Sequence, residues 1–132
     1  MITKRLFTKS CLLMAIGIIL GAFAAHGLKE KISADKLVIF ETGVKYHLLH
    51  ALALIVLALN AHHFIEKRFN IAIVLIILGI LFFSGSIYAL ATIEINGLLS
   101  IKSVLGPITP IGGLCFISGW VLLAFSKKKL NE

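Results

Sequence analysis

The sequence predicts an all-α integral membrane protein: four transmembrane helices in a compact bundle, with a short interfacial helix between the first and second spans. Three observations lead there. Of the 132 residues, 59% are apolar and 14% charged, against roughly 45–50% and about 25% in ordinary soluble domains. The mean hydropathy is +1.03. A soluble domain of this size buries only about two-thirds of the surface its unfolded chain exposes, too little to hide so much apolar area. The third observation is the placement of charge. The formal net charge is +7, and the thirteen Lys and Arg fall in short clusters between long uncharged runs. Basic residues at the ends of apolar runs serve anchoring and topology. No basic stripe is interleaved with aromatics, so nucleic acid is not an expected partner; the lipid bilayer is.

A helix needs about 20 apolar residues to cross the hydrocarbon layer. The runs that qualify cover about 10–26, 43–63, 71–92 and 110–126. Lipid offers no partner to unpaired backbone groups, so each run is a helix. Residues 1–132 then form a single membrane domain. The first run also fits a secretory leader, since a basic start and an apolar stretch lead to Ala22-Phe23-Ala24, an Ala-x-Ala site. The Gly-Leu-Lys that follows and the three further spans favour a retained span, which an intact mass of the purified protein would check. In the connection 29–42, Ser33 is placed to cap a helix that runs into the second span. Thr109 is the expected N-cap of the fourth span, with Pro110 at the first helical position, where no hydrogen bond is lost. With both termini in the cytoplasm, eight Lys/Arg lie inside and five outside, which sets the expected orientation. The expected location is a bacterial plasma membrane.

Helices in lipid associate through close packing of small residues. Gly17, Gly21 and Ala25 form one stripe, Gly85 and Ala89 another, and Gly112 and Gly119 share a face of the fourth span. These stripes serve either packing inside the bundle or, for Gly17–Gly21, a homo-oligomer. Cys11 and Cys115 sit at different depths, so no disulfide is expected.

Polar side chains are unevenly spread. In the assigned orientation His26, Tyr46, His47, His50, Ser84, Ser86, Tyr88 and Thr109 fall in the outer halves of their spans. The inner stretches 12–20, 52–59, 71–80 and 121–125 are almost wholly apolar. Polar groups in a membrane are costly and face the protein interior, so the expectation is an outward-facing polar pocket. Gly43, Tyr46, His47 and His50 share one face of the second helix, and Ser84 and Tyr88 share one face of the third. Glu41 and Lys45 lie on the other side of the second helix, where they snorkel to the water boundary or pair at i, i+4. His26 either faces a different neighbour from the Gly17–Gly21 stripe or lies beyond a helix end at Gly27. His62 and His63 fall at the cytoplasmic boundary.

Interhelical hydrogen bonding is the plain role for the buried histidines, at about 1–2 kcal/mol or less each. The alternatives are a metal or haem held by His26 and His50, with His47 as a further metal ligand, and proton relay or transport through His and Tyr. Haem would need one His from each of two facing helices at equal depth. No enzyme is expected: the spans hold no Asp, the acids near them are Glu41, Glu66 and Glu94, and no Gly-x-Ser-x-Gly, phosphate loop or His-Glu-x-x-His occurs. Ser84-Gly85-Ser86 reads as small residues for packing. No cofactor is required by this inventory.

One set of segments carries a resemblance. Leu20-Gly21-Ala22-Phe23-Ala24-Ala25-His26-Gly27-Leu28, Glu41-Thr42-Gly43-Val44-Lys45-Tyr46-His47, Phe83-Ser84-Gly85-Ser86-Ile87-Tyr88 and Thr109-Pro110-Ile111-Gly112-Gly113 occur in order. Together they resemble the domain of unknown function 423 family, the transmembrane protein 256-like small membrane proteins. The resemblance spans about 17–120. It departs at Ala24, where the family usually has Gly, and at His47, where a polar Gln is typical; the latter weakens a three-His metal site. It implies a small multi-span protein of a bacterial plasma or organellar membrane, and implies no activity, substrate or catalytic residue. The functional expectation is a non-enzymatic protein whose polar pocket binds a lipid headgroup, a small ligand or a partner membrane protein.

Overall fold

A computed structural model describes residues 2–97 and 99–128, with side chains from Lys4 onward. Lys129, one of the charges used for orientation, lies outside the described residues. The chain is helical along four apolar spans, Lys4–Leu28, Ala34–Leu59, Glu66–Ala91 and Leu99–Ala124. The first is α1 (Ile2–Phe23), continued by a π turn at Ala24–Leu28. The second is α2 (Ala34–Leu59). The third is α3 (Glu66–Gly79), a π turn at Ile80–Ser84 and α4 (Gly85–Ala91). The fourth is a 3₁₀ turn at Leu99–Ile101 and α5 (Lys102–Ala124). The spans alternate in direction. The end holding the 29–33 and 92–98 connections is called the turn end below, and the opposite one the terminal end.

The second helix begins at the cap the sequence indicates, and the fourth begins earlier than expected. Ser33 has the extended backbone of an N-cap (φ −65°, ψ 156°) and its Oγ accepts from the Lys36 N–H at 3.5 Å. The expected interfacial helix is therefore the first turns of α2, continuous with the span. Thr109 is not a cap. It lies inside α5, which starts at Lys102 and carries both Pro107 and Pro110 in its interior. Each proline removes one N–H donor, a defect that membrane helices tolerate when neighbours or local adjustment satisfy the freed carbonyls. The second span stops at Leu59, before the expected residue 63, and His62 and His63 sit exposed in a 3₁₀ turn.

α1 packs along α2, α2 packs along α4 and the 80–84 π turn, and α5 packs along α3 and that same turn. Small residues make the close contacts. A Cβ on Gly17 would lie 2.7 Å from Leu48 Cδ2, and one on Gly21 3.3 Å from Val44 Cγ1. The Gly17–Gly21 stripe is thus covered by α2 within the chain. A Cβ on Gly119 would press on Ile76, and one on Gly112 would fall 2.7 Å from the Phe82 carbonyl carbon, against backbone. Gly85 is the exception, because nothing lies within 4 Å of where its Cβ would be.

The apolar interior falls into two clusters. At the terminal end Leu6, Leu54, Leu57, Phe69, Ile76 and Leu123 meet, with Phe116 and others. At the turn end Ala24, Leu28, Phe40, Val44 and Ala91 meet. The terminal end is also sewn by the chain after α5: the Ile65 N–H donates to the Ser126 carbonyl (2.7 Å), the Lys128 N–H to the His63 carbonyl (2.9 Å) and Arg68 Nη1 to the Phe125 carbonyl (2.9 Å). At the turn end Gly97 takes φ +66°, a backbone conformation that favours glycine.

Candidate functional site

The predicted polar residues lie between the two apolar clusters. His47 and His50 fall near the middle of the 26-residue α2. Because Gly17 meets Leu48 and Gly21 meets Val44, His47 is level with Gly17, about 16 Å below Leu28 at 1.5 Å per residue. The polar groups therefore sit near mid-height of the helices, just below the exposed Glu41 and Lys45. α2 starts at its Ser33 cap, nine residues ahead of Gly43.

They separate into three hydrogen-bonded or stacked sets. His47, 4% exposed, approaches the Tyr88 hydroxyl through Nδ1 at 3.1 Å. Tyr88 packs on Phe40 (ring centroids 4.7 Å) and against Gly43, which leaves no room for a larger residue at 43. His50 turns the other way. Its Nδ1–H donates to the Tyr46 carbonyl at 2.7 Å, and its ring stacks on Phe116 at 3.7 Å and 18°. Tyr46 lies against Phe83 (4.6 Å) and Trp120 stands 6.1 Å from His50, completing an aromatic stack between α2, the π turn and α5. The third set ties α4 to α5. Ser86 Oγ donates to the Phe83 carbonyl at 3.0 Å, so at 2.6 Å the Thr109 hydroxyl is the donor to Ser86.

His26 joins none of these. It is exposed on the π turn that carries α1 past Gly27. His50 is level with Ala15 in the α1–α2 register, so the two histidines are about 16 Å apart in depth. They do not share a metal or haem site. The described residues contain no group of three or more His, Cys, Asp or Glu placed to hold a metal ion. Cys11 and Cys115 are free and half-buried. Glu41 and Lys45 are both exposed and form no ion pair among the described residues; Lys36 pairs with Glu94 at 2.5 Å instead. The Lys36 ammonium, by hydrogen bond and charge, holds the Glu94 carboxyl below the usual carboxylate range.

None of the described cavities gathers the histidines. One of about 370 Å³ lies at the turn end, between α1 and α4. Leu20 and Phe23 form one wall, Gly85, Tyr88 and Ala89 the other, Phe40 the back, and Thr92 and Asn96 the rim. The rim is tied down: Thr92 Oγ1 donates to the Tyr88 carbonyl (2.7 Å) and Asn96 Nδ2 donates to Thr92 Oγ1 (2.8 Å). Of the predicted polar cluster, only Tyr88 reaches it, and of the predicted packing glycines, Gly85. Asn96 and the pairing of Lys36 with Glu94 are not indicated by the sequence, because the residues after the third span carry no periodic signal; Thr92 closes that apolar run without standing out in it. Phe116 had one: it lies four residues after Gly112 and three before Gly119, on the face those glycines predict.

Comparison with known proteins settles the family. Residues 20–113 match the family described as Protein of unknown function (DUF423). The chain belongs to that family. It is 42% identical over 122 residues to the UPF0382 membrane protein YwdK of Bacillus subtilis, covering 89% of each chain. A UPF0382 membrane protein of Staphylococcus haemolyticus is 41% identical over 119 residues, covering 90% of this chain and 89% of the relative. The UPF0382 inner membrane protein YgdD of Escherichia coli is 36% identical over 117 residues, 89% of this chain and 84% of the relative. No solved structure matches. The resemblance read from the motifs is thus the family itself, a family of membrane proteins with no function assigned, and this DUF423 chain contacts lipid along four spans.

Proposed function

We propose that this DUF423 protein is a non-enzymatic lipid-holding protein of the bacterial plasma membrane. It seats one acyl chain of a bilayer lipid in the groove between α1 and α4, with the headgroup at Thr92 and Asn96. The groove itself carries the reading. It is open beside Gly85, walled by aliphatic and aromatic side chains, and closed at the turn end by a hydrogen-bonded polar rim. Apolar depth below a polar lip matches the two halves of a phospholipid. The polar pocket expected from sequence contributes the groove's Tyr88 wall, while its histidines hold the helices together beneath.

The same reading puts both termini in the cytoplasm. Among the described residues the terminal end carries Lys4, Arg5, Lys9, Lys67, Arg68, Lys127 and Lys128 against Glu66, and the turn end carries five Lys against four acids. That asymmetry supports the orientation. A carboxyl-terminal reporter active only outside the cytoplasm would contradict it.

The test of lipid holding uses Gly85→Leu. The side chain has space, so the fold survives, and it fills the groove. Wild-type protein in mild detergent is expected to retain lipid of selected composition by mass spectrometry, and the variant to lose most of it. Equal retention by both, or a lipid profile that mirrors the bulk membrane, refutes the reading.

A further inference from the structure

Ser84 is unlike the other buried hydroxyls among the described residues. Ser10, Thr92 and Ser126 each donate to the carbonyl four residues back, and Ser86 to the one three back. Ser84 Oγ is fully buried and has no partner among the described residues. Ser84 ends the π turn, where the Gly85 N–H donates to the Ile80 carbonyl, the acceptor four residues before Ser84. π turns of this kind recur at functional sites.

A second unpartnered atom lies at the same level. Tyr46 touches Phe83 and His47 touches Tyr88, so in this antiparallel pair Ser84 is bracketed by the contacts of Tyr46 and His47. His47 Nε2 is buried and unpartnered. The Tyr88 hydroxyl has one partner among the described residues, Nδ1 of His47; with the phenol donating to it, Nε2 carries the imidazole N–H. The Cδ2 edge beside Nε2 faces Gly17, whose Cβ would be 3.4 Å away. The Leu13 backbone approaches the His47 ring, yet Nε2 meets no hydrogen-bond partner among the described residues. A buried donor left unpaired is costly, and more so in the middle of a membrane span.

We infer that this level of the bundle, between α1, α2 and the π turn, is a binding site for one small hydrogen-bonding group that accepts from His47 Nε2–H and engages Ser84 Oγ. Water has that chemistry, and so does a carbonyl of an intruding lipid. The site is distinct from the groove, although Tyr88 touches both, and it stands whether or not the groove holds lipid.

Water-edited solid-state NMR on histidine-¹⁵N protein in vesicles of phosphatidylglycerol and phosphatidylethanolamine tests it. The His47 signal is assigned by its loss in His47→Gln. Rapid transfer from water to Nε2 identifies water as the occupant, and transfer from ¹³C-carbonyl-labelled lipid identifies lipid; either supports the site. Transfer from neither overturns it. Ser84→Ala gives an independent reading. If Ser84 serves a ligand, its removal lowers the melting temperature by a few degrees and weakens the Nε2 contact. If Ser84 is a dry orphan, its removal leaves the melting temperature unchanged or raised, and the inference fails.

Discussion

At the terminal end, side chains from all four spans meet: Leu6 of α1, Leu54 of α2, Ile76 of α3 and Phe116 of α5 share one cluster. At the turn end the cluster draws on α1, α2 and α4, and α5 contributes no buried member. The first half of α5 is mostly exposed there, with Gly106, Pro107 and Pro110 in succession. What fastens it to α4 is the Thr109–Ser86 hydrogen bond. A three-helix core cannot close on itself as a four-helix core does, and the groove beside Gly85 is the consequence. The terminal end is built for stability. The turn end gives up packing and gains an opening.

The sharpest way to break the contrast is at the close approach that lets α5 join the four-helix end. Gly112→Val puts side-chain atoms into the backbone of Phe82 and Phe83. Neither can move without unwinding the π turn. The expected loss is about 3 kcal/mol or more, at the top of the range for overpacked sites, read as loss of a folded melting transition in detergent.

Cavity substitutions compare the two ends directly. Ile76→Ala, in a fully buried site at the terminal end, is expected to cost about 2–5 kcal/mol. Leu20→Ala, on the groove wall and only partly buried, is expected to cost well under half of that while reducing lipid retention. Equal costs in thermal unfolding would erase the distinction between a sealed end and an open one.

Much of this was legible in the sequence. Four apolar runs gave four spans, because lipid permits nothing but helices. Gly17, Gly21, Gly112 and Gly119 were recognised as contact residues from spacing alone, and each meets a neighbouring helix. Gly85 had the same spacing with Ala89 but faces a groove, which periodicity cannot distinguish from a neighbour. The start of α5 is not legible for a physical reason: hydropathy marks an apolar run from near Pro110, whereas the helix starts about two turns earlier, at Lys102, and Thr109 lies inside it. The start of α2 is legible, because Ser33 has the chemistry of a cap and acts as one. His26 could not be placed because Gly27 looked like a terminator, and the π turn carried the helix through it. Which way His47 and His50 point, one toward Tyr88 and one toward Phe116, depends on contacts between α2 and spans far along the chain, and those are absent from any local pattern.

A smaller change probes the layer between the two cores. Tyr88→Phe keeps the ring on Phe40 and Gly43 but removes the hydroxyl from His47. Interhelical hydrogen bonds in membranes contribute about 0.6 kcal/mol on average, so a loss of about that size in thermal unfolding is expected. A loss comparable to that of Ile76→Ala would show that the polar layer, and not the four-helix core, dominates stability.

The smallest effect is expected at the outermost tie of the turn end. Lys36 and Glu94 pair at 2.5 Å, bridging the start of α2 and the loop after α4. Lys36 depresses the Glu94 pKa. The sign follows by linkage: a carboxyl with a lowered folded pKa binds protons more readily when unfolded. The pair's contribution is therefore fully present above the ordinary Glu range, near pH 4.3, and is lost as pH falls through the lower, folded value. Glu94 is well exposed, and exposed pairs are screened by salt and weak. Glu94→Gln is expected to leave the melting temperature at neutral pH nearly unchanged and to flatten its fall with acid, with the difference from wild type vanishing in high salt. If instead the substitution loosened the turn end enough to release lipid from the groove, the rim would be held by this ion pair and not by the Thr92–Asn96–Tyr88 hydrogen bonds, and the groove would hold lipid only while Glu94 keeps its charge.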